Sequence, residues 1–186
     1  MDGARKVKQP ERGPRVTDAL TDFRLVCTAR LTLRAPTVED EAVVFSIHGD
    51  PETNRHNPGG PMTSREGARG FLQAIIGAWA EHGFSYWCVS AGDAPAVIGF
   101  AGVDLMELKG RCFLNLYYRF TPAVWGRGYA TEAAAEAIKV GRTARPDLPI
   151  LARTRPANKA SIRVAEKLGM KRTVWTPTRV VFEAVS

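Results

Sequence analysis

The segment from Tyr118 to Glu132 constrains the fold more than any other part of the sequence, because its character changes twice. It begins as an apolar strand, continues through a loop that contains Gly126 and Gly128, and then starts an alanine-rich helix. Glycines remove Cβ bulk, so successive backbone N–H groups can converge on an anion, and the helix N-terminus adds unpaired N–H groups and a favourable dipole. The segment therefore fits a metal-free pyrophosphate site, although the same residues could form a purely structural turn.

The length and composition of the chain fit one globular domain. The chain has 186 residues, of which 45% are hydrophobic and 24% are charged, so it can bury one full core. Weak apolar periodicity at the N-terminus predicts a flexible arm over residues 1–24 and one domain over residues 25–186. The longest mostly apolar stretch, Phe71 to Ala80, is far shorter than the roughly 18 residues that a membrane span needs.

The N-terminus and the cysteines indicate a cytoplasmic protein without a bound metal. The N-terminal segment mixes basic and acidic residues and has no apolar core, so we expect neither a signal peptide nor a transit peptide. Cys27, Cys88 and Cys112 are widely spaced, with no CxxC pair and no histidine at the spacing of a zinc site. We therefore expect three reduced, buried thiols.

The net charge of the chain favours an anionic ligand. The 26 basic and 19 acidic residues give a formal charge of +7, which attracts nucleic acid, an acidic partner or a small anion alike. The sequence has no run of five basic residues and no nucleic-acid-binding motif, so a solvated basic surface is the simpler interpretation. Nucleic-acid binding is the weaker alternative, and we expect no membrane partner.

The apolar periodicity predicts helices and strands mixed unevenly along the chain, which indicates a mixed α/β sheet rather than a doubly wound fold or a barrel. Helices are recognised by their caps and apolar stripes, and strands by short apolar segments between turn residues. The predicted elements are a strand at Thr28–Arg34, a short helix after Thr37 that ends near Gly49, a loop at Asp50–Pro61, a helix from Ser64 to Gly83, strands at Phe84–Ser90, Ala96–Leu105 and Arg111–Phe120, a helix from Thr131 to Gly141, a strand at Ile150–Thr154, a helix at Asn158–Leu168, and one or two strands within Val174–Val185.

Several motifs in this order resemble the GNAT superfamily of N-acetyltransferases, whose acetyl-CoA motif is a Q/R-x-x-G-x-G/A loop after a central strand. The matching segment is Trp125-Gly126-Arg127-Gly128-Tyr129-Ala130, with Trp125 in place of the usual Gln or Arg. That replacement, the opening strand Thr28–Arg34, Asn158-Lys-Ala-Ser161 and Glu166-Lys-Leu-Gly169 are similar to the subgroup that acetylates the N-terminal amines of ribosomal proteins. The resemblance implies acetyl-CoA as the acetyl donor and a GNAT-like acyl-CoA N-acyltransferase fold, α/β (mixed α+β), with a central mixed, mostly antiparallel sheet and flanking helices.

The resemblance also implies which residues hold the cofactor. Backbone groups near Phe120 would bind the acetyl-bearing pantetheine arm, and a free N–H there could stabilise a developing oxyanion. Asn158 would hydrogen-bond the pantetheine, although its spacing fits a helix N-cap equally well. The pyrophosphate would lie on the backbone N–H groups of Gly126, Arg127, Gly128, Tyr129, Ala130 and Thr131.

The same resemblance defines the proton transfers less well. Family members commonly use a Glu on the strand before the loop as base, but the matching residue here is Asn115, whose amide cannot accept that proton. Many relatives place a proton-donating Tyr in the last helix where this chain has Ala165, and Ser161 is the polar candidate for that role. A purely structural hydroxyl at Ser161 is the alternative, and Asn115 would instead position water or the substrate. The other candidate bases are Asp104, Glu107, His56 and Tyr117.

The sequence thus predicts an acetyl-CoA-dependent N-acetyltransferase that works by direct attack within a ternary complex. The acceptor would be a primary amine, either a protein N-terminus or a small molecule. An α-amine, with a pKa of about 7.7 to 8.0, needs a base less than a lysine with a pKa near about 10.4 does. The residues at Asn115 and Ala165 leave one alternative, a non-catalytic acyl-CoA-binding or protein-interaction module of the same fold. The oligomeric state is open, with a homodimer among the options.

Overall fold

An eight-stranded sheet runs through the structure, a computed structural model that describes residues 22–185. Its strands are β1 Leu25–Cys27, β2 Leu31–Arg34, β3 Tyr86–Ala91, β4 Val97–Leu108, β5 Arg111–Phe120, β6 Ile150–Thr154, β7 Lys171–Trp175 and β8 Val180–Glu183. Their order across the sheet is β1-β2-β3-β4-β5-β6-β8-β7, and neighbours are antiparallel except for the parallel pair β5 and β6. The predicted mixed, mostly antiparallel sheet is confirmed.

The described residues also form four α-helices, which flank the sheet: α1 Glu41–Gly49, α2 Arg65–His82, α3 Tyr129–Ala144 and α4 Lys159–Lys167. Short 3-10 turns at Val38–Asp40 and Pro122–Val124 precede α1 and the glycine loop. The predicted caps of α2 are confirmed, because Ser64 Oγ accepts a hydrogen bond from Gly67 N–H at 3.1 Å and Gly83 ends the helix at φ 76°. In residues 22–185, no helix combines the length and apolar character that crossing a bilayer requires.

Helix α3 packs closely on the sheet because it presents small residues to it. Its buried face includes Ala133, Ala137 and Gly141, which is the stripe that the sequence predicts. A Cβ atom at Gly141 would lie 2.9 Å from Ile150 Cδ1 and 3.0 Å from Leu114 Cδ1, so a larger residue at this position would require these side chains or the helix to shift. The close contact fixes the height of α3, and therefore of the glycine loop before it, above β5 and β6.

Side chains alternate between the two faces of the sheet along β5, so the two faces carry different kinds of residue. Leu114 faces α3, as its approach to Gly141 shows. The residues of β5 on the same face are Leu116, Tyr118 and Phe120. The opposite face, which packs on α1 and α2, carries Asn115, Tyr117 and Arg119.

Three of the sequence expectations need correction. Residues Thr28–Arg34 do not form one strand, since the N–H of Thr28 donates to Leu31 O at 2.8 Å and makes a turn between β1 and β2. The closing strands number two, and the first of them begins at Lys171, before the predicted start at Val174. Cys27 is exposed and Cys112 is partly exposed, so the expectation of buried thiols is wrong for both, whereas Cys88 is buried. Most of the predicted N-terminal arm, residues 1–21, lies outside the described residues.

Candidate functional site

A cavity of about 950 Å³ opens between β5 and β6, and the 50–61 loop, the glycine loop, α4 and the turn before β8 complete its wall. The sequence-predicted site residues meet here, with Arg127 as the exception. Those in the lining are Asn115, Phe120, Gly126, Gly128, Tyr129, Ala130, Thr131, Asn158 and Ser161.

The cavity exists because β5 and β6 part. Their ladder ends at the pair Leu116–Ala152, whereas β5 continues to Phe120. The N–H of Leu114 donates to Pro149 O at 2.9 Å, on the β6 side of β5. Because N–H directions alternate along a strand, the N–H groups of Tyr118 and Phe120 point to the same side, into the gap. The gap therefore exposes backbone donors that a continuous sheet would use for pairing.

The glycine loop places a second set of backbone donors on the cavity wall. Gly126 and Gly128 have φ values of 77° and 82°, in the left-handed region that side-chain-bearing residues rarely adopt. The first intrahelical bond of α3 runs from Glu132 N–H to Gly128 O at 3.1 Å. The N–H groups of the first helical turn therefore have no carbonyl partner within α3, and they sit at the positive end of its dipole. This arrangement suits an anion such as a pyrophosphate.

Trp125, the residue that departs from the usual motif, closes the loop back on β5. Its indole Nε1 donates to Phe120 O at 2.8 Å. The carbonyl of Phe120 is thereby occupied, while the N–H of the same residue points into the gap between the strands. The tryptophan thus fixes the end of β5 relative to the glycine loop.

Arg30 and Glu132 brace the glycine loop from behind. Glu132, in the first turn of α3, accepts hydrogen bonds from Thr28 Oγ1 at 2.6 Å, Arg30 N at 2.9 Å and Arg30 Nε at 2.7 Å. Arg30 Nη1 also donates to Arg127 O at 2.8 Å. Burial raises the pKa of Glu132, but the bonds from Thr28 and Arg30 outweigh it and hold the pKa below its usual range. Arg127 therefore contributes its carbonyl to the brace, and its side chain is exposed outside the cavity lining.

Ser161 lies in the first turn of α4, next to a tyrosine of β5. Asn158 Oδ1 accepts a hydrogen bond from Ser161 N–H at 3.1 Å, which confirms the N-cap interpretation of Asn158. The hydroxyls of Ser161 and Tyr118 share a hydrogen bond at 2.8 Å, and the Tyr118 hydroxyl also lies 3.1 Å from Ser161 O. Burial raises the pKa of Tyr118 to about 12, although the bond with Ser161 opposes the rise. Ala165, one turn further on, is 1% exposed and adds no polar group.

Asn115 is held at both ends of its amide. Its Nδ2 donates to Tyr86 Oη at 3.0 Å, and its Oδ1 accepts from Arg153 Nε at 3.4 Å. Burial raises the pKa of Tyr86 far above its usual value, so the phenol is neutral and accepts the amide hydrogen. This arrangement fixes Asn115 in one orientation at the cavity wall, which suits positioning rather than proton abstraction.

A buried histidine determines how Tyr117 presents its hydroxyl. His48 Nδ1 lies 3.0 Å from Val44 O, a carbonyl that can only accept, so Nδ1 carries the proton. Its Nε2 lies 2.9 Å from Tyr117 Oη and accepts the phenolic hydrogen. Burial and, to a lesser extent, the nearby Arg119 lower the pKa of His48 to about 4, so the ring is neutral at pH 7. Tyr117 lines the cavity, and its phenolic hydrogen is already donated to His48, so its oxygen acts there as an acceptor.

The remaining candidate bases divide by position. His56 lies in the 50–61 loop and lines the cavity, as Tyr117 does. Asp104 is 2% exposed and accepts a hydrogen bond from Ser85 Oγ at 3.2 Å, away from the lining. Glu107 lies opposite Cys112 in the β4–β5 ladder, near the hairpin that joins the two strands, and it is also outside the lining. Among residues 22–185, no three His, Cys, Asp or Glu side chains cluster as metal ligands would.

Sequence reasoning missed Arg30, His48, Tyr118 and Arg153 as neighbours of the site. Each reaches the site through a contact between distant segments, which strand and helix periodicity does not reveal. Tyr118 alone carried a usable signal, because it shares a strand face with Leu116 and lies near the end of the strand that leads to the glycine loop.

The comparison with known sequences identifies one family. The sequence profile described as "Acetyltransferase (GNAT) domain" matches residues 30–171. Among curated proteins, the uncharacterized N-acetyltransferase p20 of Bacillus licheniformis is 29% identical over 146 residues, which cover 78% of this chain and 81% of that protein.

Solved structures share the same fold. The GNAT-family acetyltransferase from Bacillus anthracis superposes with a TM-score of 0.70 at 24% identity, over 86% of this chain and 96% of that one. RimL, a ribosomal L7/L12 α-N-protein acetyltransferase solved in complex with coenzyme A, superposes with a TM-score of 0.64 at 14% identity, over 87% of this chain and 97% of that one.

Proposed function

This chain belongs to the GNAT acetyltransferase family, and on that premise we propose that it transfers the acetyl group of acetyl-CoA to a primary amine by direct attack within a ternary complex. The expected family, fold and N-acetyltransferase activity are confirmed. We assign the activity to one domain over residues 25–186, which the matched range 30–171 and the continuous sheet support.

The cavity carries donors where a coenzyme A molecule needs them. The first-turn N–H groups of α3, with Gly126 and Gly128, would hold the pyrophosphate. The N–H groups of Tyr118 and Phe120 would bind the pantetheine arm and donate to negative charge that develops on the acyl oxygen. Asn158 lines the same cavity, and its Nδ2 would reach the pantetheine while its Oδ1 caps α4. Acetyl-CoA supplies an activated thioester, and these groups bind and orient it.

Ser161 is the proposed proton donor to the leaving thiolate. A thiol with a reference pKa of about 8.5 leaves more easily when the sulfur is protonated as the bond to carbon breaks. Tyr118 Oη donates to Ser161 O at 3.1 Å and lies 2.8 Å from Ser161 Oγ, so the phenol holds the serine hydroxyl in place at the cavity wall. Tyr118 is therefore a positioning residue for Ser161.

The acceptor amine must arrive with little help from a dedicated base. Asn115 cannot take its proton, and among the described lining residues the one carboxylate is Glu52, which is paired with Arg55. His56 is the one described lining residue with an imidazole that can accept a proton. An amine of low pKa, such as a protein N-terminus or an activated small-molecule amine, presents enough of its neutral form near pH 8 to attack. RimL, which acts on a ribosomal protein, lends support to a peptide N-terminus as acceptor. Asn115 and Tyr117 would orient the amine.

The end of the β5–β6 ladder at Leu116–Ala152, beside the glycine loop, is the observation that carries the proposal. Its test is the release of free CoA thiol from acetyl-CoA in the presence of primary amines, including short peptides with free N-termini. Amine-dependent thiol release, with the acetylated amine detected by mass spectrometry, supports the proposal. Thiol release that no amine stimulates contradicts it.

One second function has a specific observation in its favour. Because both ends of the Asn115 amide are already hydrogen-bonded, and because Ala165 is buried, the site has neither of the groups that relatives commonly use for proton transfer. A non-catalytic acyl-CoA-binding or protein-interaction module would bind acetyl-CoA yet acetylate no amine in the panel. The same thiol-release experiment, run alongside acetyl-CoA binding, separates the two functions.

A further inference from the structure

The cavity lining has a strong positive bias. Among the described residues it holds seven arginine or lysine side chains against one acid, Glu52, whose carboxylate lies 3.2 Å from Arg55. The basic side chains fall on two sides of the sheet. Arg163 and Lys167 belong to α4, on the face where coenzyme A phosphates are proposed to bind. Arg119 and Arg153 lie on the opposite face, beside Asn115 and Tyr117.

Arg153 is half-buried without a carboxylate partner among residues 22–185. Its Nε lies 3.4 Å from Asn115 Oδ1, and its Nη2 lies 3.6 Å from Met106 Sδ, a weak acceptor. Its guanidinium stacks 5.1 Å from the centre of the Phe113 ring. Burial lowers the pKa of Arg153, which reflects the cost of desolvating this charge. The side chain is held in place by neutral and aromatic contacts, and Arg153 is one of the residues that line the cavity.

Arg119 is anchored in the same way. Its Nη1 donates to Asn54 Oδ1, and its guanidinium lies 5.9 Å from the centre of the Tyr117 ring. Asn54 is 3% exposed and is itself fixed, because its Nδ2 donates to His48 O at 2.7 Å and to Asp50 O at 2.8 Å. No carboxylate among the described residues lies within ion-pair distance of Arg119. A neutral amide therefore holds this guanidinium, and Arg119 is one of the residues that line the cavity.

Two partly desolvated guanidiniums without counter-ions favour a ligand that brings its own negative charge. The planar fork of arginine matches a carboxylate or a phosphate with two parallel hydrogen bonds. Tyr117, whose ring centre lies 5.9 Å from the Arg119 guanidinium, offers an oxygen that can accept a hydrogen bond, because His48 takes its phenolic hydrogen. The wall thus places an anion-binding group near an acceptor suited to an amine N–H.

We propose that the acceptor is an anionic amine, whose carboxylate or phosphate is attracted by the charges of Arg119 and Arg153 while the amine contacts Tyr117. This inference rests on the proposed function, and it names the class of amine that the site selects. The two positive charges also disfavour the ammonium form of a bound amine, so its proton passes to water before attack. The nitrogen then bonds to the acetyl carbon as the carbon–sulfur bond breaks. The thiolate takes a proton from Ser161, and the proton that the new amide nitrogen loses returns to Ser161 through water.

The test measures amine binding to the protein saturated with CoA, by calorimetry, so that it does not depend on turnover. Three matched pairs serve as probes: phosphoethanolamine and ethanolamine, alanine and alaninamide, and a C-terminally amidated tripeptide with Glu or Gln at its second position. The pairs distinguish a phosphate, a small carboxylate and a peptide carboxylate as the source of the charge. In at least one pair the anionic member should bind at least about tenfold more tightly than its neutral partner.

Variants link that preference to the two arginines. Arg119→Gln and Arg153→Gln should each remove most of the preference, and Arg153→Lys should retain part of it because it keeps the charge without the fork. Arg111→Gln is the matched control, since Arg111 is exposed at the far end of β5 and should leave the preference unchanged. Melting curves of every variant establish that the fold is retained.

The results separate this inference from the proposed function. If CoA binds but neutral amines bind as tightly as anionic ones, or if no probe binds, the anionic acceptor is wrong and the cofactor site stands. A preference that survives both glutamine variants also overturns the assignment to Arg119 and Arg153. If the protein does not bind CoA, the proposed function fails and this inference fails with it.

Discussion

Arg30 and Glu132 lie 102 residues apart in the sequence, yet Arg30 Nε donates a hydrogen bond to Glu132 Oε2 at 2.7 Å. The pair joins the turn between β1 and β2 to the first turn of α3. Because Arg30 also holds the carbonyl of Arg127, the contact fixes the glycine loop without touching the cavity. The shape of the proposed pyrophosphate site therefore depends on a residue that is close in space but 102 residues before Glu132 in the sequence.

Removal of this brace should loosen the cofactor site. Arg30→Ala should weaken acetyl-CoA binding about tenfold, on the scale of a residue that orients a binding group from behind. Calorimetry measures the affinity, and a melting curve checks the fold. Arg69→Ala, which breaks a surface ion pair with Glu41 on the α1–α2 face, is the control and should bind as the wild type does. Equal affinity in Arg30→Ala would show that the loop holds its shape without the brace.

Gly128 should be required for binding more than for folding. Gly128→Val places a β-branched residue at φ 82°, with its Cβ 3.4 Å from Arg30 Nη2. Gly110→Val imposes the same strain at φ 76° in the β4–β5 hairpin, far from the cavity. Each variant should lose about 1 to 2 kcal/mol of stability, but only Gly128→Val should lose acetyl-CoA binding. If both variants bind acetyl-CoA normally, the glycine loop does not hold the cofactor.

The hydroxyl pair Tyr118 and Ser161 should affect turnover more than cofactor affinity. Ser161→Ala should lower kcat by about 10- to 100-fold, because the leaving thiolate loses its proton donor. Tyr118→Phe should lower kcat by a smaller factor, since Ser161 keeps its proton but loses the partner that orients it. Steady-state kinetics and acetyl-CoA titrations separate the two effects, with the exposed Ser46→Ala as control. An equal loss of affinity and kcat in Ser161→Ala would make Ser161 a binding residue instead.

His48 should make stability depend on pH. Its pKa is about 4 in the folded protein, below the ordinary value of 6.5, because burial disfavours the charged ring. The unfolded chain therefore binds the extra proton first, so stability is complete above pH 6.5 and falls as the pH drops toward 4, by roughly 3 kcal/mol at most. Urea unfolding at pH 8 and pH 5 should show a smaller change in His48→Gln than in the wild type or in His82→Gln. Equal changes in all three proteins would place the titration elsewhere.

Local chemistry explains what the sequence predicted correctly. Ser64 and Asn158 cap helices through bonds to residues three positions away, and the alanine stripe of α3 follows from helical periodicity alone. The glycine loop was equally predictable, because backbone positions with positive φ favour glycine and the start of a helix follows within the same short segment.

The periodicity of apolar residues along the sequence did not predict the contacts that join distant segments. Arg30 meets Glu132, His48 meets Tyr117, and Arg153 meets Asn115 only after the sheet has assembled. Asn115 illustrates the difference: the sequence showed that it cannot act as a base, but its fixed orientation depends on Tyr86 of another strand. The sequence gives the number of basic side chains and therefore the net charge, but it does not indicate which of these side chains lie around one cavity.

Calorimetric titration of the purified protein with acetyl-CoA, with ATP as a control for general affinity toward anionic nucleotides, tests the central claim most directly. The gap beyond Leu116–Ala152 and the glycine loop predict micromolar binding of acetyl-CoA that ATP does not reproduce. Binding of neither ligand, or equal binding of both, would contradict an acyl-CoA site between β5 and β6.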